Sequence, residues 1–132
     1  MKLKEYLEEQ LENRGSDRLK DWVIDYVLDM YDNEEEIKGF FEDLSKHGCQ
    51  SGMVSSLIYY SDTTKAYDDY EDEIEELVYE MRESLGIDSR PAFIDSLNGS
   101  AESIHQEKNL LCWFAFEETA RNIFEEWEEV QE

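Results

Sequence analysis

The chain has 132 residues, enough for one domain with a real core, and its 40% hydrophobic content with three Trp, eight Tyr and six Phe excludes a disordered acidic tail. Asp and Glu number 35 against 12 Lys and Arg, a net charge of −23, which disfavours direct contact with nucleic acid or anionic membrane because phosphates are held by basic side chains. No apolar run approaches the roughly eighteen residues a bilayer span needs, and the opening MKLKEYLEEQLENRG puts acids where a signal peptide needs an apolar stretch. Two cysteines, Cys49 and Cys112, are too few for a disulfide framework, so the expected compartment is a reducing cytoplasm.

In chain order, Leu3, Tyr6, Leu7 and Leu11 predict a short amphipathic helix ending at Gly15. Ser16 is positioned to cap a second, with Leu19, Trp22, Val23, Tyr26, Val27 and Met30 at helical spacing. Asn33 caps a third, whose first turn holds Glu34, Glu35 and Glu36 and whose apolar stripe is Ile37, Phe40, Phe41 and Leu44, with Gly48 past its end. The neutral segment GCQSGMVSSLIYY, residues 48–60, predicts a fourth helix through Met53, Val54, Leu57 and Ile58. Small, uncharged residues suit a helix enclosed by neighbours, so this segment is expected in the core rather than at a partner surface.

From Tyr67 the spacing Tyr70, Ile74, Leu77, Val78, Met81 and Leu85 gives a fifth helix closed by Gly86. A short element at Ala92–Leu97 follows Pro91, and Asn98-Gly99 marks a turn. The last helix begins near Ser100, and its LLCWFAF run at 110–116 is apolar all round, as in a helix buried on several sides. The expected fold is all-α: one compact acidic domain over residues 1–132, of about five to seven helices, with a buried C-terminal helix.

Signs of catalysis or metal binding are weak. Glu102 and His105 form one Glu-x-x-His step, with Glu117 further along on the inward side, but a di-metal helical site needs two such steps and two further glutamates. His47, Cys49, His105 and Cys112 match no common zinc spacing, and Cys112 lies inside an apolar run. The run from Asp68 to Glu73 lacks the glycine and alternating ligands of a calcium loop. No phosphate-binding glycine loop or nucleophile elbow occurs. The expectation is a non-enzymatic protein without a cofactor.

The acids themselves are more informative. Asp68, Asp72, Glu75, Glu76, Glu80 and Glu83 lie opposite the Tyr70–Leu85 stripe or flank it, and Glu117, Glu118, Glu125, Glu126, Glu128, Glu129 and Glu132 repeat the theme with almost no base beyond Arg121. Like charges at i, i+3 and i+4 each cost a helix a few tenths of a kcal/mol, about 0.2–0.5, and folding does not require them. Such a row resembles a nucleic-acid backbone and suits a basic cleft built for phosphates. The simpler reading is a solvated face that serves solubility.

Two stretches, SGMVSSLIYYSDT at 51–63 continued by EIEEL at 73–77, and WFAFEETA at 113–120, resemble a family of small uncharacterised proteins that occurs in bacteriophage and prophage sequences. The resemblance runs from about Gly48 to Arg121 and leaves the first 45 residues unassigned. It implies no catalytic residue. It does imply a context, because small acidic phage proteins often inhibit host defence such as restriction or CRISPR systems. The resulting expectation is a DNA-mimicking inhibitor working in the host cytoplasm. Its contact residues would be Tyr67, Asp68, Asp69, Asp72, Glu75, Glu76, Glu80, Glu83, Glu125 and Glu128, and its partner a basic nucleic-acid-binding protein. A homodimer would lengthen the acidic surface. The alternative is an adaptor or host-takeover factor that binds through the neutral 48–60 segment.

Overall fold

The computed structural model describes residues 1–13, 18–47, 67–89, 92 and 104–131, with the side chains of residues 47, 104–110 and 113 excepted. Five helices are described: α1 (Leu3–Glu12), α2 (Arg18–Met30), α3 (Glu34–His47), α4 (Glu71–Leu85) and α5 (Ile104–Val130). No strand occurs among the described residues, and the protein is all-α. The expected Ser16 cap, Gly15 and Gly48 ends, neutral helix at 48–60 and Asn98-Gly99 turn lie outside the described residues, as does the 92–97 element beyond Ala92. The chain forms two compact units, Met1–Leu57 with Phe116–Glu132, and Ile58–Ala115, so the boundary falls within α5.

In the first unit, Leu3, Tyr6 and Leu7 of α1, Leu19, Val23, Ile24 and Val27 of α2, and Ile37, Phe40, Phe41 and Leu44 of α3 are buried together with Phe116, Ala120, Ile123 and Trp127 of α5. All four members of the α3 stripe are fully enclosed. Aromatic rings run through this core in sequence. Trp127 stacks on Phe124 at 5.6 Å, Phe124 stacks on Phe41 at 5.7 Å, and Phe41 meets Phe40 edge to face at 5.6 Å. Phe40 in turn meets Phe116 at 6.1 Å, whose ring also takes Trp22 at 5.4 Å and Tyr26 at 5.7 Å. Each such pair adds about 0.5–1.5 kcal/mol beyond burial, and this offsets part of the self-repulsion of the surface. Met30, expected on the α2 stripe, is instead 49% exposed, because it stands at the last position of its helix. Ile24 fills the core instead.

Two helix starts in this unit, those of α1 and α3, are secured by side-chain oxygens. Asn33 Oδ1 accepts the Glu36 N–H at 2.8 Å, as the sequence predicts for α3. At α1 the first residue outside the helix, Lys2, gives no side-chain cap, and Glu34 supplies one from α3: its two oxygens accept the N–H groups of Leu3 and Lys4, each at 2.8 Å. Lys4 Nζ also donates to the Asp32 carbonyl at 2.7 Å, which further ties α1 to the α2–α3 connection.

The second unit buries Tyr67, Ile74 and Val78 together with Leu111, Cys112, Phe114 and Ala115, so the described side chains of LLCWFAF are enclosed as expected. α4 ends as its glycine predicts. Gly86 has φ 72°, its N–H bonds the Glu83 carbonyl at 3.1 Å, and the Ile87 N–H bonds the Arg82 carbonyl at 3.0 Å. This paired arrangement closes the helix and requires the left-handed conformation that glycine adopts without strain. Leu85, at the final position of α4, is 56% exposed, so the stripe covers less core than its spacing suggests.

Candidate functional site

α4 has two opposed faces. Ile74 and Val78 point inward, and on the other side Asp72, Glu76, Glu80 and Glu83 are exposed, at steps of four, four and three residues. Steps of four along a helix advance about 6 Å, so these carboxylates form one row along the axis. The helix carries seven acids in 15 residues and a single base, Arg82. At about 1.5 Å rise per residue that is one carboxylate per roughly 3 Å, close to the ~3.4 Å charge spacing of one nucleic-acid strand. Asp68 and Asp69 are also exposed, immediately before the helix.

Two expected contact residues turn out to serve the fold. Tyr67 is only 4% exposed, and its hydroxyl donates a hydrogen bond to the Glu75 carboxylate. The ring therefore offers no contact area to a partner, and Glu75, half-buried, is engaged with it. Tyr79 is the aromatic that the acidic side of α4 does expose, at 54%.

On α5, Glu125 and Glu128 are exposed, in the first unit, whereas the α4 row belongs to the second. Other acids of α5 are paired with bases, with Arg121 of the same helix and also with Lys20 of α2. Glu126 pairs with Lys20 of α2 at 2.7 Å and accepts the Tyr6 hydroxyl at 3.2 Å. Glu117, expected to face inward, is buried and bonds Arg121 at 2.8 Å, with Glu118 at 3.7 Å from the same guanidinium. Burial pushes the Glu118 carboxyl above the usual carboxylate range, against the lowering pull of Arg121.

Cys112 is fully enclosed, and burial, reinforced by the Asp68 carboxylate, pushes its thiol up to about 12. A thiol so protonated is a poor nucleophile and a poor metal ligand. Among the described residues no three His, Cys, Asp or Glu side chains converge as metal ligands; Cys49, Glu102 and the side chains of His47 and His105 lie outside them. Likewise, no described helix is long and apolar enough to cross a membrane.

A cleft that sequence reading missed lies at the end of α4, with a volume of about 350 Å³ and Tyr79, Arg82, Glu83, Gly86, Ile87 and Asp88 as its walls. Its signal in sequence is slight: a tyrosine and an arginine three apart, ahead of a helix-closing glycine.

The chain belongs to the DUF7222 family, a domain of unknown function, which it matches over residues 4–129. The DUF7222 match therefore includes the N-terminal helices that the two resembling motifs leave unassigned. No curated protein and no solved structure matches the chain.

Proposed function

We propose that this DUF7222 protein is a non-enzymatic, phage-encoded inhibitor that occupies the basic nucleic-acid-binding cleft of a bacterial DNA-targeting defence protein, of the restriction or CRISPR type. The observation that carries this reading is the exposed row Asp72, Glu76, Glu80 and Glu83, set opposite the buried Ile74 and Val78 on a helix whose seven acids together average one charge per roughly 3 Å of its axis. A cleft lined with Lys and Arg for phosphates attracts such a row by the same Coulombic force and gives fast, salt-sensitive association. The net charge of −23 and the resemblance to phage proteins support the same reading, which places the protein in the bacterial cytoplasm with no cofactor. Asp68 and Asp69 extend the row, and Glu125 and Glu128 offer a separate acidic face on the first unit.

The test is capture from bacterial lysate at low salt, followed by binding and DNA-competition measurements on the purified partner. The expected partner is a basic DNA-binding protein whose affinity falls at least about tenfold between 50 and 300 mM salt and which DNA displaces. The triple variant D72K/E76K/E80K is expected to abolish binding while the far-UV circular dichroism stays unchanged. A partner that holds in high salt and ignores competing DNA overturns the mimicry and favours the adaptor reading.

A further inference from the structure

We draw no further inference here: the strongest candidate, the cleft at the C-terminal end of α4, is an exposed acidic cluster beside an arginine whose Nε is closed off from solvent, and nothing in the structure points to a ligand there.

Discussion

Lys20 Nζ lies 2.7 Å from a carboxylate oxygen of Glu126, an ion pair that joins α2 to α5 across 106 positions of sequence. The Tyr6 hydroxyl from α1 reaches the same oxygen at 3.2 Å, so one carboxylate ties three helices. Both charged partners keep some solvent, with side-chain exposures of 21% and 48%, so the ion pair itself contributes little, about 0–1 kcal/mol. Replacing Glu126 by Ala is expected to cost about 0.5–1.5 kcal/mol once the tyrosine bond is counted, read as a lower urea midpoint at unchanged slope.

The same contact predicts an alkaline transition. Burial first, and the Glu126 carboxylate second, raise the Tyr6 phenol from about 10 to about 12. A folded value above the unfolded one means that the neutral phenol contributes stability that is fully present below pH 10 and lost as pH rises through about 12. Stability measured by urea unfolding is expected to fall across that window. Glu126→Gln is expected to lower the Tyr6 value without restoring it to 10, because burial is the larger cause. A Tyr6 that titrates with the exposed tyrosines in the folded protein contradicts this.

Glu34 is the second cross-helix tie. Its carboxylate is the acceptor for the first two N–H groups of α1, and Lys2 offers none. A negative charge at a helix N-terminus adds to the hydrogen bonds themselves. Glu34→Ala is expected to cost about 1–2 kcal/mol in urea unfolding and to speed hydrogen exchange at Leu3 and Lys4. Glu35→Ala, on an exposed neighbour, is expected to stay within about 0.5 kcal/mol.

Local features of this fold are legible in the sequence, and features that join distant residues are not. Asn33 before an acidic turn, the Ile37, Phe40, Phe41 and Leu44 stripe, and Gly86 after α4 each announce themselves within a few residues, because caps and helical periodicity are short-range effects. Glu34 capping a helix 31 residues earlier and Lys20 meeting Glu126 depend on how helices come together, which no local pattern specifies. Tyr67 misleads for another reason. Its apolar body and polar tip suit either a surface or a core, and what decides between them is a hydrogen bond to Glu75, eight residues on. The acidic row on α4 is visible in the sequence as charge at helical spacing, whereas the cleft beyond it depends on the turn at Gly86 and on the direction of the Arg82 side chain.

Cys112 gives a chemical check on the second unit. Its enclosure and its raised thiol both oppose formation of thiolate. With Cys49 replaced by Ser, the native protein is expected to leave a disulfide reagent unreacted at pH 8 over hours, and one thiol is expected to react at once in denaturant. Prompt reaction under native conditions contradicts the enclosed position of this residue in α5.

The charge imbalance predicts how stability responds to acid and salt. With 35 acids against 12 bases, most carboxylates repel one another, and the neighbouring acids on α4 do so at helical contact distance. Glu118 adds to this in the same direction. Burial, its largest cause, raises its carboxyl, so its contribution to stability is fully present below the unfolded value and is lost as pH rises through the folded one. Lowering pH from 7.5 to 5.5 is therefore expected to raise the melting temperature rather than lower it. Raising salt from about 20 to about 300 mM at pH 7.5 is expected to do the same, because the Debye length shrinks below the spacing of the more distant repelling pairs. The salt gain is expected to shrink at pH 5.5, where fewer carboxylates carry charge. A melting temperature that falls with added salt means that attractive pairs such as Lys20–Glu126 outweigh the repulsion, and it removes the argument that the acidic row of α4 costs the fold anything.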